Sequence, residues 1–65
     1  MTLLQFLDNI KRKSSRMRLF NQVYQNVFDG TISEFSHWIH NQEYYHKDIN
    51  IIYVDDNFYD IRLKN

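Results

Sequence analysis

Three histidines and two acidic residues in the middle of the chain are the residue types that could hold a metal ion. His37, His40 and Glu43 are spaced three apart, so a helix could align them along one face, and His46 and Asp48 follow shortly after. Imidazole and carboxylate groups are ligands for zinc and nickel. The spacing matches neither the H-E-x-x-H motif nor a paired-cysteine site. We therefore interpret the histidines as ordinary surface side chains and predict no metal site.

Catalytic patterns are sparse. The adjacent pair Asp55 and Asp56 could serve as acid and base, but neighbouring carboxylates in a turn are exposed and point in different directions. Gly30 is the only glycine, so there is no phosphate loop or G-x-S-x-G motif, and the chain has no cysteine nucleophile. A chain of 65 residues also has little room for a deep cleft. We expect no enzymatic activity and no cofactor.

A compact run of cations is the strongest electrostatic feature. It consists of Lys11, Arg12, Lys13, Arg16 and Arg18. Residues 1–28 carry five cations and one anion, whereas residues 29–65 carry three cations and seven anions, so the formal net charge of zero conceals an uneven distribution. The run could contact phosphates or an acidic protein surface, or it could be a solvated helix end. We predict that its main target is an acidic protein surface.

Binding of nucleic acid is the alternative interpretation. Two helices around Gly30 followed by a hairpin would resemble a winged helix-turn-helix, but residues 31–45 contain no Lys or Arg where a recognition helix would meet DNA. The expected hairpin tip is acidic as well. The alternative is therefore a nucleic-acid-binding accessory protein that uses the basic segment 11–18.

Aromatic residues make up 17% of the chain and concentrate in its last third. A thin domain cannot bury all of them, and aromatic side chains are enriched in binding hot spots. Tyr44, Tyr45 and Phe58 are predicted, together with the five cations, to bind a partner.

Two capping-box patterns predict helix starts. Thr2 is followed by Gln5, and Thr31 by Glu34, the spacing at which hydroxyl and carbonyl side chains reciprocally bond free backbone N–H groups. Apolar residues at helical spacing extend from the first box to Phe28, and Gly30 is expected to end this helix in the left-handed conformation. We predict two helices in residues 2–28 with a break near Ser14 and Ser15; one continuous helix is the alternative.

The end of the chain is typical of strands. Residues 49–54 and 58–63 are rich in β-branched and aromatic types and are separated by Asp55, Asp56 and Asn57, which predicts a β-hairpin. We expect it to close in a type I′ turn, in which Asp56 and Asn57 both have positive φ. Tyr59, Ile61 and Leu63 alternate with polar neighbours and are assigned to the core. The predicted fold is α+β, a single domain over residues 1–65, with two or three N-terminal helices packed on a C-terminal antiparallel hairpin.

Size and composition favour a binding role over other functions. Phe, Tyr, Ile, Asn and Lys are frequent and Ala and Pro are absent, which is typical of an AT-rich gene, as in low-GC bacteria, their plasmids or phages. We expect a cytoplasmic protein without a membrane segment, since no apolar stretch approaches the 18 residues that span a bilayer. The sequence favours a small regulator or inhibitor of a host protein. A homodimer formed through long N-terminal helices is a further alternative.

Overall fold

The computed structural model of the protein describes residues 1–41 and 46–64. Two short helices and two β-hairpins alternate along the chain. The elements are α1 (Leu3–Asn9), β1 (Arg16–Phe20), β2 (Asn26–Thr31), α2 (Ile32–Trp38), a 3-10 turn (Ile39–Asn41), β3 (Ile49–Asp55) and β4 (Phe58–Leu63).

The predicted arrangement of N-terminal helices on a C-terminal hairpin is wrong, although the α+β class is retained. Residues 16–31 form a hairpin of two strands where a second helix was expected. Gly30 lies within β2 and has no positive φ, so it does not end a helix. Because α1 ends at Asn9, the long N-terminal helix required by the alternative of a helix-paired homodimer is also absent.

The four strands form one mixed sheet in the order β2-β1-β4-β3. Both hairpins are antiparallel, and they join through the parallel pairing of β1 with β4 at the centre. The C-terminal hairpin lies where the sequence predicted it. Its turn differs in detail, because Asp56 has a φ of 51° whereas Asn57 does not have a positive φ.

Both helices pack on one face of the sheet. Each helix contributes three apolar residues to the core when the 3-10 turn is counted with α2, and the two central strands contribute two each. The core comprises Leu3, Phe6, Leu7, Met17, Leu19, Ile32, Phe35, Ile39, Ile61 and Leu63. Tyr59 packs against it, so all three predicted core positions of β4 face the helices.

The two helix starts form as predicted. Thr2 and Thr31 accept backbone N–H groups through their hydroxyls, while Gln5 and Glu34 accept the backbone N–H of their capping threonines at 2.8 and 2.9 Å. The Thr31 backbone N–H that donates to Glu34 lowers the pKa of that carboxyl. Helices of only seven residues depend on such caps and on packing.

Candidate functional site

The sheet face opposite the helices is not packed against any described helix or strand, and we call it the uncovered face. Strand alternation assigns its members, since neighbours of core positions must point the other way. They are Arg16, Arg18, Phe20, Asp29, Ile51, Tyr53, Asp55, Phe58, Asp60 and Arg62. Strands β1, β3 and β4 therefore each contribute both charged and aromatic side chains to this face.

An arginine–aspartate pair occupies the centre of the uncovered face. Arg18 and Asp60 are register partners across the parallel β1–β4 pair. The Arg18 Nε and Nη2 atoms donate to the two carboxylate oxygens of Asp60, each at 2.9 Å. These hydrogen bonds and the Asp60 charge raise the pKa of Arg18. The Arg18 guanidinium carbon also lies 5.0 Å from the Phe58 ring centroid and 5.8 Å from that of Phe20.

A second arginine, Arg62, is fixed by the loop between β1 and β2. Its guanidinium carbon lies 3.8 Å from the Tyr24 ring centroid, and its Nη2 donates to the Gln22 carbonyl oxygen at 2.7 Å. Its Nε is buried and has no hydrogen-bond partner among the described residues. Tyr24 has a φ of 63°, in the left-handed region that a bulky residue seldom adopts. The loop geometry therefore holds the ring over Arg62.

Two shallow depressions lie on this face. The first, of about 580 Å³, includes Arg16, Arg18 and Phe58 in its lining, with carboxylates of the β3–β4 turn along its border. The second, of about 230 Å³, lies between Tyr24 and Tyr53. They offer places for side chains of a partner to insert.

The five predicted binding cations do not form one cluster. Lys13 Nζ donates to the Leu7 carbonyl oxygen at the end of α1, and Arg12 Nη1 donates to Asn57 Oδ1 at 2.7 Å. Lys11 is exposed in the loop after α1. Arg16 and Arg18 project from β1 onto the uncovered face, where Arg16 Nη2 lies 3.5 Å from an oxygen of Asp29.

The aromatic residues predicted to bind a partner lie in different regions. Phe58 is on the uncovered face, beside Arg18. Tyr44 and Tyr45 fall outside the described residues. Sequence reasoning did not select Tyr24 and Tyr53, which are 59% and 65% exposed. Tyr53 could have been found by extending the alternation of the second hairpin, whereas Tyr24 required knowledge of the loop.

The two histidines whose spacing could align them with Glu43 lie in two consecutive helical elements. His37 is in α2, where its Nδ1 lies 2.9 Å from the Ser33 carbonyl oxygen, while His40 lies in the 3-10 turn. Glu43 is outside the described residues. Within residues 1–41 and 46–64, no three His, Asp or Glu side chains form a group that could hold a metal ion.

A third depression lies on the helical side of the molecule. It has a volume of about 450 Å³ and lies between the two helices, with Leu4, Leu7 and Ile39 as its apolar lining. Asp8, Lys13 and His40 border it.

The fold and the uncovered face define a small α+β domain with an aromatic and ion-paired surface opposite its helices. Comparison with protein-family models, curated proteins and solved structures finds no match for this chain. In the part of the chain that the structure describes, no helix is long and apolar enough to cross a membrane.

Proposed function

We propose that this chain is a non-catalytic binding protein whose uncovered face docks onto another protein and regulates or inhibits it. The observation that supports this most is the composition of that face. Exposed tyrosines and half-buried phenylalanines surround arginines that are already paired with carboxylates. Aromatic and arginine side chains dominate the energetics of protein interfaces, because they bury large areas while retaining hydrogen-bonding groups.

The aromatic side chains provide the apolar part of the surface. Tyr24 and Tyr53 border one depression, and Phe58 lies in the other beside Arg18. All three belong to a regular sheet or to a loop anchored on it, so this chain loses little conformational entropy when a partner binds them. A flat, preorganised surface of this kind suits a protein partner.

The charges on the face favour protein over nucleic acid. Arg16 and Arg18 are within salt-bridge distance of Asp29 and Asp60, and Arg62 donates to a backbone carbonyl oxygen. A phosphate would have to displace these partners and approach the carboxylates, which repel it. Protein surfaces contain both donors and acceptors and can bond to such pairs without separating them.

The partner's expected chemistry is an apolar patch bordered by carboxylates. Arg12 reaches Asn57 at the β3–β4 turn, beside the larger depression, and Lys11 precedes it in the same exposed loop. Acidic groups at the border of the partner's patch would meet these two cations. The AT-rich composition fits a regulator that is encoded by a plasmid or phage and acts on a protein of the host.

The test compares capture of proteins from source-cell lysate by matched variants. Tyr24→Ser with Tyr53→Ser removes both exposed rings, while Leu4→Ser removes a 47% exposed apolar residue on the helical side. We expect the same protein to bind wild type and Leu4→Ser after nuclease treatment, and to be lost with the tyrosine variant.

Two results would contradict the proposal. In one, the tyrosine variant captures the same proteins as wild type. In the other, capture disappears after nuclease treatment and the wild type binds single-stranded oligonucleotides at physiological salt. The second result would show that the chain binds nucleic acid, for which exposed aromatic residues on open sheets provide stacking surfaces.

A further inference from the structure

The two edges of the sheet differ in how their backbone groups are used. Along β2, the Thr31 N–H donates to the Glu34 carboxylate at 2.9 Å, and the Phe28 carbonyl oxygen accepts from Asn26 Nδ2 at 3.1 Å. Asp29 adds a charge to this strand, and the β1–β2 register is interrupted by a bulge. Side-chain bonds, charges and bulges are the features by which proteins prevent strand addition at an edge.

The beginning of the β3 edge is occupied by residues 1–3 of the same chain. Ile49 N–H donates to the Met1 carbonyl oxygen at 2.8 Å, and Leu3 N–H donates to the Lys47 carbonyl oxygen at 3.1 Å. Thr2 and Asp48 form the antiparallel bridge between these bonds. The last bond of this pairing is at Ile49, and the register between β3 and β4 shifts just beyond it, between Ile49 and Ile51. The β3 edge thus accepts an antiparallel segment over only part of its length.

The remainder of the strand edge, Ile51 to Asp55, has no such cover among the described residues, and we call it the free edge. The two-residue turn makes Asp55 and Phe58 a hydrogen-bonded pair, so every second residue of β3 bonds to β4. The backbone groups of Ile52 and Val54 consequently point outward. The free edge contains no Lys, Arg or Pro, and its Tyr53 and Val54 are 65% and 61% exposed.

We propose that the free edge pairs with the free edge of a second copy of this chain, antiparallel, about a two-fold axis at Tyr53. This register places Ile52 opposite Val54 of the other copy, which lets their four outward N–H and four outward C=O groups on the two copies bond to one another. The two Tyr53 residues form a non-hydrogen-bonded pair, in which opposed side chains lie closest.

Self-pairing fits the charges of the free edge. Asp55 lies opposite Ile51 of the other copy, so no like charges oppose each other. The two Asp55 residues are four positions apart along the strand, about 14 Å at ~3.4 Å per residue. That distance exceeds the Debye length of about 8 Å at physiological salt. The two-fold axis is perpendicular to the sheet, so the uncovered faces of both copies form one continuous surface. Pairing at the free edge does not require the proposed function, although both use Tyr53.

Sedimentation velocity of the whole chain tests the pairing over a range of about 10 to 500 μM, which covers the weak affinities of small interfaces. We expect a reversible monomer–dimer equilibrium. Val54→Lys places a charge on the free edge and should raise the dissociation constant at least about tenfold. Val54→Pro should act similarly, because it removes an outward N–H that β4 does not use. Val23→Lys, at a 65% exposed loop position, is the matched control and should dimerise as wild type does.

Disulfide trapping tests the register. The chain has no cysteine, so Tyr53→Cys introduces a single thiol at the proposed axis. Directly opposed non-hydrogen-bonded residues have the spacing a disulfide needs, and mild oxidation should give a covalent dimer with Tyr53→Cys but not with Val23→Cys. A monomer at every concentration would overturn the inference. So would a dimer that persists in both Val54 variants, or a Tyr53→Cys variant that crosslinks no faster than the Val23→Cys control.

Discussion

Gly30→Ala tests whether residues 16–31 form a β-hairpin, as in the structure, or a helix, as the apolar spacing predicted. A Cβ at position 30 would lie 3.0 and 3.3 Å from two carbons of the Phe28 ring and 3.2 Å from Glu34 Oε1. Carbon pairs are most favourable at about 3.5–4.0 Å, so the ring must move by several tenths of an ångström. Phe28 cannot do so freely, because its ring lies 5.2 Å from that of Phe35 and 5.0 Å from that of Trp38.

The expected loss is the difference of two effects. Replacing glycine by alanine at a compatible φ stabilises a protein by about 0.4–1 kcal/mol, since the unfolded chain loses freedom. Overpacking a core costs about 1–3 kcal/mol. We therefore expect Gly30→Ala to lower the free energy of unfolding by about 1 to 2 kcal/mol, and each 1 kcal/mol corresponds to a Tm decrease of about 4–8 °C in a domain of this size.

Urea unfolding followed by Trp38 fluorescence and far-UV circular dichroism measures this loss. The matched experiment repeats the substitution in a Phe28→Leu background, where the shorter side chain leaves room for the new methyl group. There the cost should fall by about 1 kcal/mol or more, as expected for residues in contact. A cost that is unchanged in the Phe28→Leu background would refute the strand placement, because a left-handed glycine at a helix end would be independent of Phe28. Equal or higher stability of Gly30→Ala alone would refute the packing argument.

Two further predictions concern the turn and a helix cap. Asp56→Gly should stabilise the fold by about 0.5 kcal/mol because Asp56 has the positive φ, whereas Asn57→Gly should be neutral or destabilising, and thermal denaturation of the two variants compares them. Because folding lowers the pKa of Glu34, the ionised carboxylate stabilises the folded state. This contribution to the free energy of unfolding is complete above the ordinary carboxyl pKa of about 4.3 and is lost as pH falls through the lower pKa of the folded state. Glu34→Gln should keep the hydrogen bond to Thr31 and reduce the loss of unfolding free energy with falling pH, measured by urea unfolding between about pH 2 and 6. An unchanged pH dependence would contradict this.

Local signals in the sequence were sufficient for part of the fold. Both capping boxes and the C-terminal hairpin depend on residues close together in the chain, and they form where they were predicted. The first hairpin was missed because Met17 and Phe28 are also in helical phase. Its loop contains neither Gly nor Pro. Instead, the Asn21 side chain accepts two backbone N–H groups, at 3.1 and 2.9 Å, and Tyr24 takes the left-handed conformation.

The uncovered face could be predicted only in part, since it arises from a pairing between distant segments. The alternation of Arg16 and Arg18 with Met17 and Leu19 is visible in the sequence and is typical of a half-buried strand. The partner of that strand is not visible, because the parallel β1–β4 pair joins residues about 42 positions apart.

The pairing of the central strands also brings together charges that are separated in the sequence. In the sequence, the cations of the first half are separated from the anions of the second. In the sheet, β1 lies between β2 and β4, so Arg16 and Arg18 are next to Asp29 and Asp60. A charge cluster in the sequence is therefore not a charged patch on the surface. Because the paired ions leave the uncovered face near neutrality, its recognition of a partner must depend on aromatic contact and directed hydrogen bonds more than on long-range attraction.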